Sequence, residues 1–527
     1  MSGTVADLAQ RWRNGLTGQV ADLRSVPAPT AGDVVGGVSV ALVLIPQSLA
    51  YAGLAGLPPF VGLFASAFPL IVFAILSSSP YLQTGPVALT SLLTAGALAG
   101  VGLEAETADY VAAAALLAAI VGLARLMIGA LRLGSVVYLM AEPVMIGFTS
   151  GAGIVILSSQ LPKALGVGLP ADVADWSNPI ARALWAVVHP GDWEAAALVI
   201  SAITLLLMLR GRKLHRLFPG VLVAVALALL FSRTTNYDGA VVGDIDAGIP
   251  GWSLDLPWSE TGSLIVGGLV IALVGFAEPA SIARTFANEE QSSWSSSREF
   301  FASGLANITA GLTGAFPVGG SFSRSSVNRF AGANTRWSGA ITGAVVLAFL
   351  PFAGLLAELP NAVLGAIVVG AVLGLIKPRR LVGLVQRSPW QGGLGIVTFV
   401  ATLLTPPNVQ WAVLLGVGLT GVLHVWRRFE LERVDAAAGE LHLRPRGLLW
   451  VATTAALRDE LMEAIEADRG RGPITVDLAR STAIDASIAA SIAAGAGMAH
   501  DRGREFRVIN APPGATPILE GYAVHVV

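Results

Sequence analysis

The sequence predicts a polytopic α-helical membrane protein followed by a small α/β domain, and three observations carry that prediction. Of its 527 residues 54% are hydrophobic and only 13% charged, where soluble proteins have about 25% charged residues. No Asp, Glu, Lys or Arg occurs from Val34 to Leu103, a length with room for three membrane crossings at roughly 20 residues each. After Arg428 the composition changes to alternating charges and short apolar runs, the pattern of an ordinary soluble domain.

Pro46, Pro58, Pro59, Pro80 and the Gly85-Pro86 pair punctuate the first apolar stretch, and such residues end or break helices whose freed backbone groups must then be satisfied by protein. Further apolar segments lie near 107–130, 135–161, 193–210, 215–231, 262–284, 299–314, 322–332, 335–356, 361–376, 391–405 and 409–426, making fourteen crossings in all. Residues 1–32 hold Arg11, Arg13 and Arg24 without the apolar core of a cleavable signal, so this segment is expected in the cytoplasm. Charge placement agrees with that orientation, since cytoplasmic loops carry the excess Lys and Arg. They include Arg210, Arg212, Lys213 and Arg216, then Lys377, Arg379, Arg380 and Arg387, and last Arg427-Arg428, whereas the opposite loops hold Glu104, Glu106, Asp109, Asp172, Asp175, Asp238, Asp244, Asp246, Asp255 and Glu260. An even number of crossings returns the C-terminus to the cytoplasm. The expected division is a cytoplasmic segment 1–32, a transmembrane transport domain 33–428 and a cytoplasmic domain 430–527. The protein is thus expected to be a multi-pass component of the inner (plasma) membrane, with both termini cytoplasmic and the lipid bilayer as its first partner.

In the last domain Glu440–Arg444, Leu448–Thr453, Ile474–Leu478 and Glu505–Asn510 read as strands, and Ala455–Ala467 and Ser487–Arg502 as helices. A net charge of -2 offers no basic surface for nucleic acid, and the absence of cysteine removes disulfides, Cys-ligated metal and thiol nucleophiles. The six histidines are scattered without metal-ligand spacing, so neither metal nor cofactor is expected, and no activated nucleophile marks an enzyme.

Three membrane segments stand out. In Ile45-Pro46-Gln47-Ser48-Leu49-Ala50-Tyr51, Gln47 and Tyr51 are four apart on one helix face. Either they line a polar cavity or Gln47 bonds a neighbouring carbonyl at a packing kink; polar residues at membrane depth usually mark pathways. Gln83-Thr84-Gly85-Pro86-Val87-Ala88 is an extended polar turn before a helix expected to start at Pro86, a residue suited to the first helical position. A half-helix starting inside the membrane aims free N–H groups and partial positive charge at whatever precedes it, which suits an anion. Phe316-Pro317-Val318-Gly319-Gly320-Ser321-Phe322-Ser323-Arg324 repeats that design, with Ser321 and Ser323 hydroxyls at the helix start and Arg324 after a run without charge from Phe300. An arginine at a span centre costs about 2.5–3.5 kcal/mol on insertion scales. Its partner is then an anionic substrate, unless it snorkels to the surface with Arg329 and Arg336.

Glu278 follows a run without charge from Thr261 to Ala277. It is open to three readings: a neutral carboxyl, a carboxylate ionised against Arg324 or a cation, or a helix-end carboxylate paired with Arg284. A carboxyl that changes protonation as access alternates would couple transport to protons.

Together these segments resemble the SulP (sulfate permease) family of anion transporters, over nearly the whole chain from about Asp33. The motifs that carry the resemblance are Ile45-Pro46-Gln47 with Tyr51-Ala52, Leu54-Ala55-Gly56-Leu57-Pro58-Pro59, Gly62-Leu63-Phe64-Ala65-Ser66, Gly85-Pro86, Gly147-Phe148-Thr149 and Gly320-Ser321 through Ser323-Arg324-Ser325. The last domain resembles the STAS domain of that family, with Ile474-Thr475-Val476-Asp477-Leu478 as its central strand and Ile484-Asp485-Ala486-Ser487 opening a helix.

The resemblance implies two inverted seven-helix repeats divided into core and gate domains, with two half-helices facing each other, mapped here to begin at Pro86 and near Phe322. It implies a substrate between Gly85, Pro86, Val87, Ala88 and Ser321, Phe322, Ser323, Arg324, with Gln47, Tyr51 and Glu278 beside it and H+ or Na+ as coupling ion. An elevator movement within a homodimer, and a cytoplasmic protein partner for the STAS-like domain, belong to the same expectation. Ser487 matches the serine phosphorylated in STAS-type anti-sigma antagonists, but Ile488 stands where those have glycine; an N-cap role is the alternative to a phosphorylation switch. The expected function is secondary active transport of a small inorganic or organic anion: sulfate, bicarbonate, chloride or a dicarboxylate such as fumarate, by proton symport. The alternatives are a nucleobase/proton symporter of the same architecture, and a membrane sensor or channel with STAS output.

Overall fold

The computed structural model describes residues 27–133, 141–214, 218–245, 248–290, 294–427, 430–434, 439–446, 449, 454–481, 484, 486–512, 514–522, 524 and 526. Every expected membrane segment falls on a helix. Among the described residues six helical stretches are long and apolar enough to cross a membrane unaided: Ala31–Leu54, Pro59–Leu76, Ala108–Ala130, Glu142–Leu165, Trp258–Glu289 and Trp337–Leu356. Ala195–Leu214, Gly220–Thr235, Ser296–Leu312, Asn361–Val372, Pro389–Leu404 and Gln410–Arg427 supply the others, with the short helices Ala88–Ala99 and Phe322–Phe330.

Local chemistry sets the helix ends. Thr30 and Asp33 form a capping box at the start of Ala31–Leu54, satisfying two N–H groups that a helix start leaves free. The same Asp33 is fully buried and accepts from the N–H groups of Asn334 and Thr335, each at 2.8 Å, and from Thr335 Oγ1 at 2.9 Å. One carboxylate thereby ties the first helix to the loop after Phe322–Phe330. Ala31–Leu54 continues through Pro46, and Gly166, at φ +69°, closes Glu142–Leu165 in the left-handed conformation that glycine favours.

The helices pack as two groups. Ala108–Ala130 lies against Ser296–Leu312 and Thr261–Glu289, and Ala31–Leu54 against Trp337–Phe349; Glu142–Leu165 lies against Pro389–Leu404 and Asn361–Val372. One close seam is lined by Gly122 and Gly129 on one helix and Gly304 and Gly311 on its antiparallel neighbour, each pair seven residues apart. A Cβ on Gly304 would lie 2.5 Å from the Leu126 backbone nitrogen and one on Gly311 2.7 Å from the Ala115 carbonyl. Lipid offers no hydrophobic drive for helix association, so close backbone approach over small residues supplies it. Gly304→Val is expected to lower the thermal unfolding midpoint of the detergent-purified protein, with overpacking costing about 1–3 kcal/mol.

The chain divides into two compact units, Met1–Val417 and Gly418–Val527. In the second, strands β3 (Glu430–Val434), β4 (Leu441–Arg446), β5 (Ile474–Asp477) and β6 (Phe506–Ile509) form one sheet in that order. β3 and β4 are antiparallel; the other pairs are parallel. Helices Thr454–Ala467 and Ala486–Asp501 match the expected ones, while Thr516–Gly521 and β3 are additions. β3 reads Glu-Leu-Glu-Arg-Val, an edge strand whose charges hide it from an apolar-run criterion. The expected strand Leu448–Thr453 lies outside the described residues except Leu449, which belongs to no strand.

At the end of β5, buried Asp477 accepts from Arg444 Nε and Nη2 at 2.8 and 2.6 Å, from Asn510 at 2.9 Å and from the Ala479 N–H at 3.0 Å. Burial pushes this carboxyl up, but the bonds from Asn510, Ala479 and Arg444, with the Arg444 charge, outweigh it and hold the group below its ordinary 3.8. Its contribution to stability is therefore complete above that ordinary value and is lost as pH falls through the lower folded-state value. Asp477→Asn is expected to cost roughly 1.5–3 kcal/mol at neutral pH. Hydrogen exchange of β5 in the full chain should show that difference shrinking below pH 3.8.

Candidate anion site

The two Gly-containing turns meet. Strands β1 (Thr84–Gly85) and β2 (Gly319–Gly320) pair antiparallel, Thr84 opposite Gly320 and Gly85 opposite Gly319. The Ser321 N–H extends the pairing to the Gln83 carbonyl at 3.0 Å, and the Gln83 N–H donates to Ser325 Oγ at 2.9 Å. Each strand runs into a half-helix, Ala88–Ala99 after the first and Phe322–Phe330 after the second. The first begins two residues later than expected from Pro86. Val87 is extended at φ -141° and ψ 149°, because pairing with β2 holds the chain straight past Pro86, whose missing N–H costs nothing there. Gly85 has φ +137°, a conformation only glycine adopts without strain.

Arg324 is 1% exposed, so it does not snorkel towards Arg329, which pairs with Glu289 and Glu290. It crosses from the second half-helix to the first: Nη1 donates to the Pro86 carbonyl at 2.9 Å. Its Nε and Nη2 are buried with no hydrogen-bond partner among the described residues, and Nη2 lies 3.5 Å from where a Gly85 Cβ would stand. Leaving buried donors of a charged group unmade is expensive, so the Nε and Nη2 donors of Arg324, beside the starts of two half-helices, favour negative charge at this crossing.

Of the other expected residues, Pro86, Val87, Ala88 and Ser321 lie beside this crossing, and Tyr51, Arg324 and Glu278 are electrostatic neighbours. Gln47 and Ser323 line a cavity of about 360 Å³ bounded also by Met208, Phe218 and Gly374, and buried Gln47 Oε1 has no hydrogen-bond partner among the described residues. Glu278 lines a second cavity, about 480 Å³, with Thr149, Ser281, Arg284, Lys377 and Arg380. Its first electrostatic neighbour is Lys377, ahead of Arg324. Phe322 stands apart: its ring is 54% exposed and stacks on Phe286 at 6.2 Å. Ser487 belongs to helix Ala486–Asp501, but its side chain lies outside the described residues.

Sequence reasoning missed the supports behind the strands. Val318 is clamped by Asn307, whose Oδ1 accepts from its N–H at 2.9 Å and whose Nδ2 donates to its carbonyl at 3.3 Å. Arg125 donates to the same carbonyl at 2.9 Å. An arginine inside the otherwise apolar second half of the 107–130 segment was the available signal.

The model of the sulfate permease family matches residues 31–401, and that of the MlaB-type STAS domain matches residues 432–526. The chain belongs to the sulfate permease family. It is 36% identical over 335 residues to a probable sulfate transporter of Mycobacterium tuberculosis, covering 62% of this chain and 58% of the relative. Against the chloroplastic sulfate transporter 4.1 of Arabidopsis thaliana it is 33% identical over 330 residues, 61% of this chain and 47% of the relative. The chain thus spans about half to three-fifths of the length of these relatives. The murine solute carrier 26 member A9 anion transporter, in its inward-facing state, superposes with a TM-score of 0.82 at 18% identity, covering 94% of this chain and 88% of that one. The transmembrane domain of the cyanobacterium bicarbonate transporter BicA superposes at 0.62 and 24% identity, covering 74% and 97%. The fold is therefore the family's: a multi-pass helical bundle of two inverted repeats, with a STAS domain after it. The family is one of transporters, not enzymes.

Proposed function

We propose that this protein is a secondary active carrier of a small anion, held where the two half-helix N-termini and Arg324 meet. The observation that supports it most is Arg324, buried with Nε and Nη2 unpartnered opposite Gly85. A neutral nucleobase would leave that cation uncompensated, and a sensor would not require Gln47, Ser323 and Glu278 to line cavities of about 360 and 480 Å³. Sulfate, bicarbonate, chloride and dicarboxylates such as fumarate all meet backbone N–H groups and a guanidinium equally well.

Both cavities reach helix ends rich in Lys377, Arg380 and Arg284 or near Phe218 and Gly374. If those ends face the cytoplasm, as their Lys and Arg favour, the arrangement is inward-facing, and elevator-type movement of one helix group against the other would complete the cycle. Glu278 would carry the coupling proton. A homodimer and a cytoplasmic partner of the STAS domain complete the proposal, with both termini in the cytoplasm of the plasma membrane.

The test is uptake of radiolabelled sulfate, bicarbonate, chloride, fumarate and uracil into proteoliposomes, with and without inward proton or sodium gradients. Saturable, gradient-driven flux of one anion is expected. Uracil flux would transfer the protein to the nucleobase reading, and ligand binding without flux to the sensor reading.

A further inference from the structure

Arg125 is the single basic residue of helix Ala108–Ala130 and is fully buried. Its Nε donates to the Ala272 carbonyl at 3.0 Å and Nη2 to the Ile271 carbonyl at 3.0 Å. Nη1 donates to Ser303 Oγ and to the Val318 carbonyl, both at 2.9 Å. Among the described residues no carboxylate lies within ion-pair distance of it. A guanidinium stays protonated in proteins, so one net positive charge is held in the bundle by neutral dipoles alone. Four hydrogen bonds to neutral acceptors could have been made by a neutral group; a retained buried charge without a fixed counter-ion is costly.

Its position explains the charge. The Val318 carbonyl that it holds immediately precedes β2. A Cβ on Gly275 would lie 2.8 Å from Arg125 Nη2 and 3.0 Å from Thr90 Cγ2. One on Gly319 would lie 3.3 Å from that same Thr90 atom and 3.4 Å from the Gly275 carbonyl. Arg125, Gly275, Thr90 and Gly319 thus pack closely against one another behind the strand pair. Thr90 itself sits in the first turn of the half-helix Ala88–Ala99.

We propose that Arg125 is a fixed cation behind the anion site, whose field raises anion affinity without touching the substrate, while its bond to Val318 positions β2. In a low-dielectric interior such a charge is felt across the strand layer. The inference rests on the anion reading above and adds a second, buried charge to it.

Three variants of the full chain separate charge from packing. Arg125→Gln keeps donors for Val318 or Ser303 but removes the charge, Arg125→Lys keeps the charge, and Ser303→Asp leaves Arg125 in place and neutralises it. Uptake of radiolabelled sulfate, bicarbonate, chloride and fumarate is measured as KM and Vmax for whichever the wild type carries. Arg125→Gln and Ser303→Asp should each raise KM roughly tenfold with Vmax within about twofold, and Arg125→Lys should stay within about twofold of wild type in both. If Arg125→Gln does not fold, Ser303→Asp decides alone. Unchanged KM in the neutralised variants, or Lys as weak as Gln, would overturn the inference while leaving the anion reading standing. A wild type that carries uracil and none of these anions would remove both.

Discussion

Arg324→Ala should abolish saturable anion uptake in proteoliposomes while leaving the protein folded. The substitution removes a 1% exposed guanidinium that donates to the Pro86 carbonyl and whose Nε and Nη2 have no partner among the described residues. Each hydrogen bond from a charged group is worth about 1.5–3 kcal/mol, so losing two to an anion weakens binding by at least on the order of 10²-fold. Arg324→Lys keeps the charge but not the planar fork that spans from Phe322–Phe330 to Pro86, so it should recover affinity only in part. Monodisperse elution and an unchanged unfolding midpoint would separate loss of the site from loss of the fold. Wild-type uptake by a folded Arg324→Ala protein would sink the site.

Glu278→Gln should uncouple transport: anion exchange persists, but an inward proton gradient no longer drives accumulation. For a one-proton symport each pH unit drives up to about tenfold accumulation, and the glutamine protein should fall to a ratio of about one. The position supports this role because Glu278 opens on the cavity shared with Thr149, Lys377 and Arg380 and is an electrostatic neighbour of both Lys377 and Arg324. A proton arriving from that cavity changes the charge that Arg324 and the anion experience. Glutamine keeps the shape and cannot take up the proton. Undiminished accumulation by Glu278→Gln would assign coupling elsewhere, and stimulation by sodium alone would replace the proton.

The covalent order of residues determined the membrane helices, because a run without charge such as Val34–Leu103 has no stable place outside lipid. It also marked the two Gly-containing turns and Arg324, because a break and an arginine inside apolar spans are each too costly without use. Even the α/β domain was readable where strands are buried on both faces, as at Ile474–Asp477. Only the tertiary structure decided what those marks face. Pairing of Thr84–Gly85 with Gly319–Gly320 joins segments more than two hundred residues apart, and it delays the first half-helix to Ala88. Arg125 was marked by its own charge, but its partners Ser303 and Val318, and the Asn307 clamp on Val318, were invisible for the same reason. A side chain's charge and size are written in its own position, but its partner is chosen by the packing of helices far along the chain, over the glycine seam of Gly122, Gly129, Gly304 and Gly311.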